Sequence, residues 1–250
     1  MKYLDIILFK TWADLRAEAS RAYIGFLWWF LEPILYMGAF YLLFGLGLRM
    51  GGDGFVYFLL CGLIPWKWFS STIANGSRAI EAGAGMIQQV YLPKIVLPTI
   101  IVAINSVKFL MILPILLLFL WFSGYVANQV WLALPLLFVL QFLLVWSLTS
   151  FCAALVPYVQ DLRYVIENGL LMLMFLSGVF FDLDKLSPLM KSVLYLNPMA
   201  LLIENYREVL LEGHWPNTSE LIYVFAFSLM FGLMATWCLT RFDRRYPKVL

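Results

Sequence analysis

The chain is poor in the residues that carry most metal and catalytic chemistry. Of its 250 residues, one is histidine, three are cysteine and only 13% are charged. Cys61, Cys152 and Cys238 lie far apart within apolar stretches, a spacing that forms neither a disulfide framework nor a zinc site. The net charge is +2 and the basic residues form no long run, so no nucleic-acid partner is expected.

A phosphate-binding loop is also missing. A GxxxxGK[ST] loop needs lysine directly after glycine, and no lysine in this chain follows glycine. The chain therefore cannot hydrolyse ATP by that chemistry, and we expect no cofactor in it. An intramembrane enzyme would need acids or histidines clustered at one depth, whereas the apolar stretches hold only scattered single charges.

Apolar residues, by contrast, dominate the chain. They make up 63% of it, and the mean hydropathy is +0.87. Residues 26–48 form a run with a single charge, Glu32, and about 20 apolar residues are enough for a helix to cross a bilayer. We predict an all-α integral membrane protein, a single domain over 1–250, with six transmembrane helices near 26–48, 55–79, 95–122, 131–157, 164–181 and 221–240. Pro65 predicts a kink or a break in the second.

Two further segments complete the predicted fold. In residues 1–20, Leu4, Leu8, Trp12, Leu15 and Ala19 recur at helical spacing, which predicts an N-terminal amphipathic interface helix. The segment carries several charges and lacks a small-residue cleavage site, so we expect no cleaved signal peptide. A simple membrane-proximal tail is the alternative. In residues 182–218, two short apolar pieces flank Asn197-Pro198. This pattern predicts a re-entrant helical hairpin before the last span, on the outer side, or alternatively a surface loop.

Charge distribution predicts the orientation. With the N-terminus inside, the cytoplasmic segments hold eleven Lys and Arg residues and the outer segments hold four. Cytoplasmic segments of membrane proteins carry the excess of positive charge, so we predict that both termini are cytoplasmic.

The deepest predicted charges and the aromatic residues suggest a transport path. Lys67 and Lys108 lie near the middle of their predicted spans, where charges face the protein interior or water. They could line a route for an anionic substrate, or reach polar partner groups. Aromatic faces give an apolar surface with a polar handle, which suits a sliding polymer, while interface belts or core packing are the alternative for many of them. The candidate substrate-channel residues are Trp28, Trp29, Tyr36, Tyr41, Trp66, Lys67, Trp68 and Lys108.

Several motifs, in order, resemble a known family. They are residues 21–28 with 44–45, 62–66 with 69–71, 90–94 (VYLPK) with Leu97-Pro98, 161–163, Asn197-Pro198, Tyr206-Arg207 and 242–250. The chain resembles the membrane permease subunit of ABC type-2 exporters, specifically those for capsule, O-antigen or teichoic-acid polysaccharides. Lys94 departs from the arginine expected there, and Lys67 is unusual at its position.

The resemblance implies partners as well as a fold. It implies a homodimer in the bacterial cytoplasmic (inner) membrane with two copies of a separate ATP-binding subunit, which would carry ATP and Mg²⁺. It also implies that the cytoplasmic segment 79–94 contacts the ATPase, with the short loop at 160–163 as a second contact. The candidate ATPase-contact residues are Glu81, Gln88, Gln89, Val90, Tyr91, Leu92, Pro93, Lys94, Asp161 and Arg163. The candidate outer gate consists of Asn197 and Pro198.

The resemblance thus implies ATP-driven export of a lipid-linked polysaccharide, as in capsule or lipopolysaccharide biosynthesis. The chain itself would then be a transport subunit and no enzyme. Three alternatives stay open at this point: a type-2 exporter of a drug or small lipid, an intramembrane glycan-processing enzyme, and an ion-coupled carrier.

Overall fold

The computed structural model describes residues 2–21, 25–40, 42–43, 54–89, 92–183, 186–243 and 246. Within these ranges the chain is helical and contains no strand, so the predicted all-α class is confirmed. The helices are α1 (Lys2–Arg21), α2 (Trp28–Phe40), α3 (Phe55–Gly76), α4 (Ala79–Ala82), α5 (Ala84–Gln89), α6 (Val96–Phe122), α7 (Leu134–Leu155), α8 (Leu162–Phe175), α9 (Pro188–Leu194), α10 (Pro198–Arg207) and α11 (Thr218–Arg241).

Three helices of the described ranges are long and apolar enough to cross a membrane. They are α6, α11 and the continuous segment Gln129–Leu155, in which a 3₁₀ turn leads into α7. They coincide closely with the predicted spans 95–122, 221–240 and 131–157. The number of spans in a bilayer stays a prediction.

Helix α3 runs without interruption from Phe55 to Gly76 and contains Pro65. The helix is therefore not broken at this proline, and a kink, the other predicted outcome, stays a prediction. Proline removes one helical N–H donor. The neighbouring residues Ile64 and Trp66 are buried, and the Pro65 carbonyl accepts a 2.8 Å hydrogen bond from Gln141 Nε2 on α7. The buried neighbours of Pro65 and the hydrogen bond from α7 thus stabilise the helix at this point.

The predicted helix at 164–181 is too long at its C-terminal end. Helix α8 has 14 residues and ends at Phe175. Gly178 follows in the left-handed region, with φ +67°, a conformation that a right-handed helix cannot contain. The predicted first span, 26–48, contains α2, while Tyr41 and residues 44–48 lie outside the described ranges.

The main core lies where α3, α6, α7, α10 and α11 meet. Helix α11 packs along α7, and α10 contacts α3, α7 and α11. Most of α10 is buried, including Met199, Leu202 and Tyr206, whereas α9 exposes Leu189 and Met190. The two short apolar pieces of 182–218 are thus both helical. How deeply they lie in a membrane stays a prediction.

The predicted N-terminal helix is present as α1 and packs against α6. Leu15 is buried, whereas Leu4, Leu8 and Trp12 are exposed. The apolar stripe read from the sequence is thus divided, because Leu15 faces the protein and the other three side chains point away from it.

Candidate functional site

An apolar cluster at one end of the bundle joins segments that are distant in sequence. We call it the basal cluster. It brings together the end of α1, the segment from α4 to the start of α6, and the ends of α7 and α11. Its buried members are Leu15, Ala79, Ile80, Ile87, Leu92, Val96, Leu97, Ile100, Ile104, Ala153, Ala154, Leu239 and Tyr246.

Lys94 lies beside the basal cluster, and its side chain is only 3% exposed. Its Nζ is 3.5 Å from Oδ1 of Asp243, two residues beyond α11, and donates a 3.2 Å hydrogen bond to the Leu92 carbonyl. A buried ammonium is strongly disfavoured unless it is paired and hydrogen-bonded. Asp243 and the Leu92 carbonyl are therefore among the groups that let Lys94 be buried here.

Tyr246 fixes the segment that follows α11. The side chain is fully buried, and its hydroxyl donates a 3.0 Å hydrogen bond to the Ala154 carbonyl near the end of α7. Burial raises the pKa of this phenol above its usual value, so the hydroxyl stays protonated and remains a donor. Asp243 and Tyr246 thus both contact the basal end.

The predicted ATPase-contact residues divide into buried and accessible sets. Leu92 is buried with Lys94, whereas Glu81, Pro93 and Arg163 are partly accessible and Asp161 is exposed. Val90, Tyr91 and the side chains of Gln88 and Gln89 lie outside the described part of the chain.

Contacts of α4 and α8 bring the two predicted ATPase-contact segments to the same end of the bundle. Helix α4 contacts α7, whose C-terminal end leads to the Asp161–Arg163 turn. Arg78, directly before α4, forms an ion pair with Glu167 on α8. The accessible groups of both segments therefore share the basal end.

Two predicted channel residues, Trp66 and Trp68, lie in the core. Each is 3% exposed. The Trp68 ring stacks on Phe109 of α6 and Phe138 of α7, with centroid separations of 4.3 and 5.1 Å. Both tryptophans are thus buried within their own chain, and Trp68 joins α3 to α6 and α7.

Other predicted channel residues remain accessible at the face formed by α2 and α3. Trp28 is 47% exposed and Tyr36 is 46% exposed. Lys67 Nζ lies 5.4 Å from the centroid of the Tyr36 ring, within the range of a cation–π contact. We call this surface, defined by Trp28, Tyr36 and Lys67, the α2–α3 face. Tyr41 lies outside the described ranges.

Lys108, the last predicted channel residue, pairs with a carboxylate from α1. Its Nζ donates to both oxygens of Glu18, at 2.6 and 2.7 Å. Trp29 Nε1 of α2 donates to the same carboxylate at 3.2 Å, and the Lys108 ammonium lies 5.2 Å from the centroid of the Trp29 ring. Lys108 thus joins α1, α2 and α6, which gives it a positioning role that needs no substrate.

We expect Lys108→Gln to lower the free energy of unfolding by about 2 kcal/mol, because it removes a charge-assisted pair and leaves Glu18 without its cation. Glu18→Gln should have a similar effect, and the double variant should lose less than the sum of the two because the amides can pair with each other. Thermal unfolding of the detergent-solubilised protein measures this. Native stability of Lys108→Gln combined with altered glycan export would favour the channel role instead.

The predicted gate residues Asn197 and Pro198 form the start of α10. Asn197 Oδ1 accepts a hydrogen bond from the Met199 backbone N–H at 3.0 Å, the standard N-cap contact, and Pro198 occupies the first helical position. The Asn197 amide also donates to Ser177 Oγ at 2.7 Å. This pair therefore sets where α10 begins and ties it to the turn after α8.

Arg207 belongs to the Tyr206-Arg207 motif, but sequence reasoning gave it no individual role. It is 6% exposed and donates to three backbone carbonyls: Phe58 at 3.1 Å, Gly178 at 2.7 Å and Val179 at 2.8 Å. Its guanidinium carbon lies 3.4 Å from the centroid of the Phe58 ring. Gly62 leaves the necessary space, because a Cβ there would lie 2.6 Å from Arg207 Nη2. The sequence feature that could have pointed to this role is an arginine within an apolar, helix-forming segment.

The described residues offer little for metal chemistry. Within these ranges, no group of three or more His, Cys, Asp or Glu side chains could hold a metal ion. What they do provide is a helical bundle with an accessible aromatic and cationic face and a basal end at which several segments meet.

Comparison with known proteins identifies a family that the central part of the chain matches. Residues 89–211 match the family described as ABC-2 type transporter. The chain is 29% identical over 231 residues to the O-antigen export system permease protein RfbA of Myxococcus xanthus, covering 92% of this chain and 89% of that protein. It is 25% identical over 219 residues to the protein of that name in Klebsiella pneumoniae, covering 85% of each.

The polysialic acid transport protein KpsM of Escherichia coli is similar as well. It is 27% identical over 232 residues, covering 87% of this chain and 85% of that protein. The matched region contains α6 to α10 and the Lys94, Asn197 and Arg207 sites described above. The resemblance carried by the motifs is thus confirmed, and residues 89–211 of this chain belong to the ABC-2 type transporter family.

Proposed function

We propose that this chain is the permease subunit of an ATP-driven exporter that moves a lipid-linked polysaccharide across the cytoplasmic membrane. The observation that carries the proposal is the alignment with the O-antigen export permease of Myxococcus xanthus over 92% of this chain. At 231 residues, this alignment is much longer than the family domain at 89–211.

The proposed membrane arrangement has six spans, built around α2, α3, α6, α7, α8 and α11. Helix α3 has 22 residues and is about 33 Å long at the helical rise, enough for the hydrocarbon core. In this arrangement both termini are cytoplasmic, and the exposed Leu4, Leu8 and Trp12 of α1 lie in the headgroup region of the inner leaflet. Residues 182–218 form a re-entrant outer hairpin, with Asn197 and Pro198 at its turn.

The basal end is the proposed docking site of the ATP-binding subunits. Two copies of this chain would assemble with two such subunits, which bind ATP and Mg²⁺. Glu81, Asp161 and Arg163 offer accessible charges there, and the basal cluster supports the surface from within. ATP binding would favour one of two permease conformations because it changes the affinity of the docked subunits for each.

The α2–α3 face is the proposed contact for the polymer. Trp28 and Tyr36 present accessible aromatic surface, and Lys67 places a cation beside Tyr36. Such a surface can hold sugar rings weakly and attract an acidic chain. Trp66 and Trp68, being buried, would support this face from behind.

The test is to locate the glycan after deleting the gene and after restoring it. We expect long lipid-linked chains to accumulate in the cytoplasm of the deletion strain and to return to the surface on re-expression. Lipid-linked polysaccharide is extracted separately from the interior and the surface and compared by size. Normal surface glycan without internal accumulation would point to a drug or small-lipid exporter, and absence of the polymer everywhere would point to an enzyme.

A further inference from the structure

We infer that the Lys94–Asp243 ion pair is a positioning contact through which movement of the 79–94 segment reaches α11 as well as α6. This inference rests on the proposed function, because it assumes that ATP-binding subunits act on that segment. Neither the family match nor the relatives' names assign a role to Asp243 or to the residues after α11.

The covalent route from the 79–94 segment leads only into α6. Lys94 stands two residues before Val96, where α6 begins, and Asp243 stands two residues beyond the end of α11 at Arg241. The ion pair therefore adds a second route, from the same point of the chain to a helix more than a hundred residues away. The segment before α6 and the end of α11 are linked by charge as well as by apolar packing.

Burial makes this link stiff. The Lys94 side chain is 3% exposed, and that of Asp243 is 22% exposed. Separating the two groups would take a carboxylate away from a buried ammonium, which costs more than separating an exposed pair. A displacement of Lys94 should therefore carry Asp243 with it.

The Asp243 end of the ion pair is also attached to the helix bundle. Helix α11 packs along α7, and Tyr246 anchors the segment after α11 to the Ala154 carbonyl of α7. A displacement of Asp243 would thus act on α11 and α7, two long apolar helices that lie side by side.

Asp243→Asn tests the contact because it keeps the shape of the side chain and removes its charge. Asp243→Glu keeps the charge, and Asp14→Asn is a matched control that breaks the more accessible pair with Lys10. The full chain and its ATP-binding subunit are reconstituted in vesicles, and ATP hydrolysis and glycan export are measured together. We expect Asp243→Asn to hydrolyse ATP normally while export falls at least about threefold. The other two variants should match the native ratio.

A second measurement needs no glycan. A fluorophore attached to Trp237→Cys, an exposed position on α11, in a chain whose three native cysteines are alanine, reports ATP-dependent movement of α11. We expect the response to be present with Asp243 and lost in Asp243→Asn.

The outcomes separate this inference from the proposed function. An unchanged fluorescence response in Asp243→Asn would overturn the inference, as would a fall in export that merely follows a smaller amount of complex in the membrane. If the native complex moves no glycan but α11 still responds to ATP through Asp243, the polysaccharide assignment fails and the positioning contact stands.

Discussion

Replacing Arg207 with methionine is expected to destabilise the protein by about 3 kcal/mol, one of the largest effects of any single change in this chain. The guanidinium donates to the carbonyls of Phe58, Gly178 and Val179, so its loss removes three buried donors at once. Arg207→Lys should recover only part of the stability, because an ammonium cannot reproduce the planar arrangement of donors. Thermal unfolding in detergent and the amount of protein in the membrane measure the effect.

Lys191→Met provides the control for Arg207→Met. Lys191 is also a cation of the 182–218 segment, but its side chain lies over the Tyr195 ring and is partly accessible. We expect this variant to stay within about 0.5 kcal/mol of the native protein, as most surface substitutions do. If Arg207→Met were equally harmless, the three carbonyl contacts would have no part in stability.

The second large effect is expected for Trp68→Ala, at about 3 kcal/mol. The Trp68 ring is stacked between those of Phe109 and Phe138, so its removal leaves a cavity where α3, α6 and α7 meet. Trp28→Ala is the matched control, because Trp28 is 47% exposed. The melting temperature should fall strongly for Trp68→Ala and hardly at all for Trp28→Ala.

The same two variants separate packing from substrate contact. We expect Trp28→Ala to reduce glycan export at native stability. Export by Trp68→Ala should fall only in proportion to the protein that remains folded. A normal melting temperature with reduced export per molecule for Trp68→Ala would return Trp68 to the polymer path.

Apolar runs were sufficient to predict the long helices. The predicted spans 95–122 and 221–240 differ from α6 and α11 by at most three residues at each end. Helix formation in such a run depends on local composition, because backbone groups in an apolar setting must pair within the segment. The end of α8, in contrast, involves a contact with a residue that is distant in sequence. Gly178 leaves the helix and its carbonyl binds Arg207, 29 residues further along the chain.

The candidate site was harder to predict for the same reason. Sequence alone could mark Lys108 as a charge within an apolar helix, but its partner Glu18 is 90 residues away. It could place Lys94 in a motif, but it could not show that Asp243, beyond the end of α11, pairs with it. Spacing also could not separate Trp28 from Trp68, because burial is decided by which helices pack together.

The attachment of Tyr246 bears on how fusion proteins of this chain should be built. Topology mapping joins a reporter enzyme or a fluorescent protein after each helix in turn. A junction directly after Arg241 would delete Asp243 and Tyr246, and with them the hydrogen bond to Ala154 and the charge beside Lys94. Low reporter signal from such a fusion would then reflect a damaged fold and could be misread as the wrong side of the membrane. Reporters and affinity tags therefore belong beyond residue 246.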